Sequence, residues 1–366
     1  ESGLSWRKNT NQAYCGATSN TRGADLNRNF SFSWNATGGT GSSGNQCDLT
    51  YRGASAGSEP ETQAIEAYVR SLWPDRRGPA KTDAAPSDTS GIHIDVHSYS
   101  QLVLWPWGDT STPAPNGAAL QTLGRKFAFF NGYTPQQSIG LYATDGTSDG
   151  VSYGELGVPA YTIELGTSFF QSCTDYNNTI KPNNLPALIY AAKVVRTPYL
   201  TPGGPDVTNV ALSSATVPAG TAVTLTASAT DTRFNNSNGV EATQNIAAGE
   251  YYIDTPPWAG GAARTMSAAD GAFNAKTEGL AGQVDTTGLA TGKHIVFVRA
   301  QDAGGAWGAI SATYLTIGTG GGGGGTVAEV ENNDTRGTAQ VITPNPATVN
   351  GSMTSGDNYY FAVTVA

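Results

Sequence analysis

The chain has 366 residues, a net charge of −9 and 13% charged residues, about half the usual ~25%. That balance leaves no basic field for phosphates and argues against a nucleic-acid partner, and no apolar run reaches the ~18 residues of a membrane helix. Forty-six glycines and 19 prolines beside plentiful Ser, Thr and Asn point to an extracellular, β-rich protein of two or three domains. The chain does not open with Met or a signal peptide, so Glu1 reads as a processing point or a truncation.

In chain order, Cys15 and Cys47 are placed to bridge a Gly/Ser/Asn-rich loop. Cys173 is then left over, either buried and inert or with a partner outside this chain. Ser58-Glu59-Pro60-Glu61 has the form of a capping box, and Ile65, Tyr68, Val69 and Leu72 follow at helical spacing. The runs Ile92–Val96, Leu102–Trp105 and Ala160–Leu165 suit buried strands. Leu120, Leu123, Phe127 and Phe130, then Leu188, Ile189, Ala192 and Val195, mark two further helices. Strands interleaved with helices over residues 1–200 predict an α/β domain.

At Thr201-Pro202-Gly203-Gly204-Pro205 the texture changes. Alternating runs such as Val223–Ser228 and His294–Arg299, punctuated by turn residues, predict a β-sandwich over 206–317. Residues 318–326 contain the glycine run of a flexible linker. Residues 327–366 read as the start of another β domain that ends inside a strand.

Three segments of the first domain carry chemistry. In Gly23-Ala24-Asp25-Leu26-Asn27-Arg28-Asn29-Phe30 an amide and a guanidinium are adjacent, which suits either a carboxylate clamp or a turn with a surface salt bridge. In Ile92-His93-Ile94-Asp95-Val96-His97-Ser98-Tyr99-Ser100-Gln101, strand alternation sends His93, Asp95 and His97 to one face. His97 is then either a metal ligand or a hydrogen-bonded core histidine. In Val158–Gly166, Glu164 ends an apolar strand, either exposed or buried with the raised pKa of a general base.

Taken together, Trp6-Arg7-Lys8-Asn9, Ala24–Phe30, Asp95–Gln101, Leu141-Tyr142 and Tyr161–Gly166 resemble the zinc carboxypeptidases of the funnelin (M14) family, closest to its secreted bacterial members. The resemblance covers residues 1 to about 200. It implies a mixed-sheet carboxypeptidase domain with flanking helices and a secreted hydrolase that removes C-terminal residues from peptides with Zn2+ as cofactor. It also implies roles. His97 would ligate zinc, Glu164 would be the general base, and Arg7 would stabilise the oxyanion. Asn27 and Arg28 would hold the terminal carboxylate, Tyr142 would close over the tail, and Ser98 and Tyr99 would line the far side of the scissile bond. Asp25 would accept a proton from a ligand imidazole. Asp149 falls where the family places a side-chain pocket determinant, which implies a preference for Lys or Arg tails.

The family's first two zinc ligands lie in an upstream H-x-x-E segment. None of His93, His97 and His294 is followed by Glu three residues later, and His93 and His97 stand about 13 Å apart on an extended strand, too far to share a metal. The chain is therefore expected to be an N-terminally truncated, incomplete α/β domain that lacks two of three ligands, exposes a sheet edge and is inactive alone. The partners expected are peptide or protein C-termini, with no nucleic acid, no membrane span and a monomeric state. Residues 206–317 resemble a bacterial immunoglobulin-like module, in which Trp258 and Trp307 would be either packing residues or a sugar platform. Residues 327–366 resemble part of a pre-peptidase C-terminal domain. The alternatives are a non-catalytic binder of peptide C-termini or a surface adhesion protein.

Overall fold

The computed structural model describes residues 6–318 and, beyond them, 325–328, 339–341, 347–350 and 361–362. The first part is a layered α/β unit. Its elements are α1 (Pro60–Leu72), β1 (His93–Ser98), β2 (Leu102–Trp105), α2 (Gly117–Asn131), β3 (Thr134–Gln137) and β4 (Ala160–Leu165), followed by α3 (Cys173–Asp175) and α4 (Lys181–Val194). The sheet is mixed, in the order β1-β4-β2-β3: β1 runs parallel to β4, β2 antiparallel to β4, and β3 parallel to β2.

Helix α2 behaves as its periodicity predicts. Leu120, Leu123 and Phe127 are fully buried, each contributing on the order of 1.5–3 kcal/mol of apolar transfer. Phe127 meets Tyr161 of β4 edge-on with centroids 5.1 Å apart, and Tyr161 Oη donates to the Leu120 carbonyl at 2.8 Å.

Helices α1 and α4 depart from the pattern. Most of the apolar stripe of α1 turns outward, with Ile65 44%, Tyr68 64% and Leu72 49% exposed, while its fourth member Val69 faces inward with Thr62 and Glu66. Polar anchors set this orientation: Glu66 accepts the Ser31 amide at 2.7 Å and pairs with Arg70 at 2.9 Å. In α4, Leu188, Ile189, Ala192 and Val195 likewise face out, and Asn184, Ala187, Tyr190, Ala191 and Val194 face in. Asn184 is held there by Asn131, Tyr133 and the Ile180 carbonyl. Among the described residues β1 pairs on one side only, and its Val96 is half exposed. The strand is thus less buried than the run Ile92–Val96 implied.

The capping box at Ser58 does not form. Glu59 stands at the N-cap and Pro60 opens the helix. Ser58 Oγ instead donates to Glu59 Oε1, joining Asn9, Asn11 and Tyr14 around that fully buried carboxylate. Burial pushes the Glu59 carboxyl up, but the hydrogen bonds from Asn11, Asn9, Ser58 and Tyr14 outweigh it and leave the pKa below the ordinary value. Cys15 and Cys47 are joined as a disulfide, and Cys173 is a free, exposed thiol rather than a buried one.

The second part is all β: β5 (Asp206–Leu212), β6 (Thr216–Pro218), β7 (Val223–Thr230), β8 (Ile246–Ile253), β9 (Arg264–Ala268), β10 (Thr277–Val284), β11 (Gly292–Asp302) and β12 (Ser311–Gly318). Hydrogen bonding links them in one order, β5-β7-β10-β9-β8-β11-β12-β6. The sheet folds over so that β5 approaches β11 and β12. Val223, Leu225, Leu280, Val296, Val298 and Leu315 fill the enclosed core. His294 is a buried strand residue bonded to Asp254 and the Ala290 carbonyl. The expected linker at 318–326 and the β domain at 327–366 fall largely outside the described residues. Within them β13 (Gly325–Ala328) pairs with β15 (Ala347–Asn350), and β14 (Gln340–Val341) with β16 (Phe361–Ala362).

Candidate active site

A 260 Å³ cavity opens at the carboxyl ends of β1 and β4. Parallel pairing sets His97 beside Glu164 in register, so the imidazole and the carboxylate reach the same hollow. Opposite them, a short 3₁₀ turn, Leu26–Arg28, presents Asn27 and Arg28. That turn is tied down through Phe30, whose amide donates to the Gly146 carbonyl at 3.0 Å. Gly146 is obligatory, since its φ is +61° and an added Cβ would stand 2.5 Å from the Arg28 carbonyl oxygen.

Each expected residue has a definite place. Arg28 is buried, with Nε donating to the Gly41 carbonyl at 2.8 Å and Nη1 to the Asn27 carbonyl at 2.6 Å, which fixes its guanidinium plane at the cavity wall. Asn27 accepts the Ser148 amide at 2.9 Å and brings Nδ2 within 3.4 Å of His97 Nε2. Arg7, Ser98, Tyr99, Tyr142 and Asp149 also line the cavity. Tyr142 is half exposed, and Tyr99 packs edge-on against Phe169 at 4.8 Å.

Asp25 lies against Arg7, and among the described residues no imidazole meets it. Its carboxylate takes the Arg7 guanidinium at 2.8 Å and 2.7 Å and so orients it toward the cavity. The carboxylate that meets an imidazole is Asp95, whose Oδ2 lies 3.0 Å from His97 Nε2 and accepts from Ser148 Oγ. Burial pushes the His97 pKa down, but Asp95 and then Glu164 outweigh that and raise it. His93 turns away to Ser152, and burial holds its pKa low.

Glu164 is buried and its Oε2 has no hydrogen-bond partner. Burial raises its pKa, opposed by His97 and Arg7, as a poised base requires. Asp149 is also buried, and desolvation raises its pKa against a Thr147 hydrogen bond and the His93 imidazole.

Sequence reasoning missed Ser148, which links Asn27 to Asp95, and Phe169, which walls the cavity. An aromatic pair, Phe169-Phe170, in a stretch of small polar residues was the available signal; nothing marked Ser148. A structural or catalytic zinc takes at least three protein ligands. Among the described residues no group of three or more His, Cys, Asp or Glu is arranged to hold a metal. The donor set around His97 does not complete a zinc site among the described residues.

A family model described as zinc carboxypeptidase matches residues 2–184. The metallocarboxypeptidase A-like protein of Trichophyton verrucosum (strain HKI 0517) is 37% identical over 131 residues, covering 35% of this chain and 26% of the relative. Zinc carboxypeptidase A 1 of Anopheles gambiae is 36% identical over 171 residues, covering 44% of this chain and 34% of the relative. A solved structure of bovine thrombin-activatable fibrinolysis inhibitor, in complex with tick carboxypeptidase inhibitor, aligns at 25% identity with a TM-score of 0.40. It covers 52% of this chain and 60% of that one. The chain thus spans between a quarter and a third of the length of these two curated relatives.

Proposed function

The chain belongs to the zinc carboxypeptidase family, and on that premise we propose that it serves a secreted metallocarboxypeptidase that removes C-terminal residues from peptides. The observation that carries this reading is the convergence of Arg7, Asn27, Arg28, His97 and Glu164 on one cavity. Arg28 takes the terminal carboxylate through its planar fork, and Asn27 adds an amide donor. Glu164, buried with an unpaired oxygen, removes a proton from the attacking water and returns it to the leaving amine. Arg7, steadied by Asp25, faces the negative charge that develops on the carbonyl oxygen. Tyr142 covers the bound tail, with Ser98 and Tyr99 on the far side of the scissile bond. Asp149, buried and lining the same cavity, favours Lys or Arg as the residue removed. Zinc is the family's metal, and His97 is the described residue that would ligate it.

Other parts of the reading have their own support. The Cys15–Cys47 disulfide suits an oxidising, extracellular location, and no described helix is long and apolar enough to cross a membrane. A net charge of −9 disfavours nucleic acid, and we read the protein as a bacterial monomer. The folded eight-stranded sheet supports an immunoglobulin-like accessory module at 206–317.

One observation favours a second reading. With no three-donor group among the described residues, the cavity as described suits capture of peptide C-termini without hydrolysis. Binding and turnover separate the two. The metallocarboxypeptidase that this chain serves, with added zinc, is offered blocked peptides ending in Arg, in Phe, and in Arg-amide; the chain alone, whose described donors do not complete a zinc site, should release nothing. Release of C-terminal Arg ahead of Phe is expected, with no binding of the amide. Glu164→Gln should lower kcat at least ~100-fold while peptide binding persists. Binding of free C-termini with no release establishes the capture reading, and equal binding of the amide sinks both.

A further inference from the structure

The two tryptophans flagged in the second part, Trp258 and Trp307, line one cleft of 560 Å³ where the all-β part meets the end of α4. That volume lies within the usual range of ligand pockets, roughly 300–1,000 Å³, and the cleft shares no lining residue with the candidate active site. Three cations line it, Lys193, Arg196 and Arg299, and no carboxylate does. In a chain of net charge −9 such a local excess of positive charge is against the trend of the whole molecule.

The cations are not equivalent. Arg299 is bound to Glu250 and Tyr252, with its guanidinium carbon 4.0 Å from the centroid of Trp307. Lys193 donates to Ser311 Oγ at 2.9 Å. Arg196 has no hydrogen bond or ion pair among the described residues, and lies over Trp258 at 4.8 Å. The cation at the end of α4 suits the helix dipole, but that dipole does not account for two indoles beside it.

The indoles are presented on firm backbone. Trp258 sits in the 3₁₀ turn Pro257–Ala259, closed by Gly260 in the left-handed region, and is 51% exposed. Trp307 is bridged to Gln301, and its neighbour Gly308 donates to the Ala300 carbonyl at 3.0 Å. Gly308 passes so close to Pro205 that an added Cβ would stand 1.7 Å from the Pro205 carbonyl oxygen. An exposed, rigidly held aromatic face is a surface that the apolar face of a pyranose ring stacks on. A guanidinium free of carboxylates is a two-point donor for one.

We propose that this cleft binds an acidic saccharide, with the exposed Trp258 stacking on a ring, Trp307 under Arg299 walling the cleft, and Arg196, aided by Lys193, taking its carboxylates. The site would hold the protein on uronate-bearing polymers, independently of what the first part does to peptides. Calorimetric titration of the full chain with a hexamer of galacturonic acid, with neutral cellohexaose and with hexaglutamate tests it. The uronate hexamer should bind, and the other two should bind at least tenfold more weakly. Trp258→Ala and Arg196→Gln, both at exposed positions, should each weaken uronate binding at least fivefold without shifting the melting temperature. No binding of the uronate hexamer, equal affinity for cellohexaose or hexaglutamate, or unchanged affinity in both variants overturns the proposal.

Discussion

Glu164 shows how much a single side chain depends on its surroundings. On an exposed strand end it would be an ordinary carboxylate; buried beside His97 with one oxygen unpaired, it holds a proton more tightly. Strand alternation was enough to put Asp95 and His97 on one face, because side chains on a strand repeat every two residues. It was not enough to show that Asp25 grips Arg7, since that pairing joins segments whose approach no local pattern encodes. Asp25→Asn removes the charge that steadies Arg7. It should lower kcat/KM about tenfold while leaving the affinity for free-carboxylate peptides unchanged, a split read from parallel kinetics and calorimetry. Glu59 offers a pH test. Its pKa is lowered in the folded state, so its contribution is present above the ordinary carboxylate value and is lost as pH falls through the depressed one. Thermal melts should therefore show stability falling below about pH 4.5, and Glu59→Gln should flatten that limb.

At the scale of elements, α2 was legible throughout. Its apolar stripe meets the sheet, and its end is set by Gly132 in the left-handed region, with φ of +74°. Nothing lies within 4 Å of a Cβ added at Gly132, so Gly132→Ala tests conformational cost alone. It should destabilise by about 1 kcal/mol, measured by denaturant titration. Helices α1 and α4 were legible as helices and misread as to face. Periodicity reports that a helix has two unlike sides. Which side turns inward is settled by anchors such as Glu66 on the Ser31 amide and Asn184 on Tyr133. The loop closed by Cys15–Cys47, 32 residues apart, was readable from cysteine spacing. Reducing that bond should cost on the order of 3–4 kcal/mol, visible as a lower melting temperature.

Across the whole molecule, the α/β and all-β parts are joined by a buried polar seam. Lys126 of α2 is fully buried, 3.3 Å from Asp206 at the start of β5 and 4.1 Å from the Phe234 ring centroid. Burial pushes its ammonium pKa down, opposed by Asp206. Beside it Arg125 pairs with Glu241 at 2.6 Å, and Asn235 donates to the Tyr133 carbonyl at 2.9 Å. Removing Lys126 leaves the buried Asp206 with only Arg233, 3.6 Å away, as a cationic partner. Lys126→Met should therefore destabilise the protein by less than the roughly 3–5 kcal/mol of a wholly uncompensated charge and expose the 231–245 loop to limited proteolysis. Composition and turn spacing separated an α/β part from an all-β part, but they carried no sign of this seam, because single lysines and aspartates look alike wherever they stand.

The sequence by itself determined the family, three of the four helices and three of the four strands of the first part, the disulfide and most of the expected site residues, because periodicity and ordered motifs are local or linear properties. Only the tertiary structure decided which helix faces turn inward, that Asp25 serves Arg7 while Asp95 serves His97, and that Trp258 and Trp307 share a cleft with an unpaired arginine. Those outcomes depend on which distant backbones approach one another and which polar groups burial forces to pair, and neither is written in any stretch of neighbouring residues.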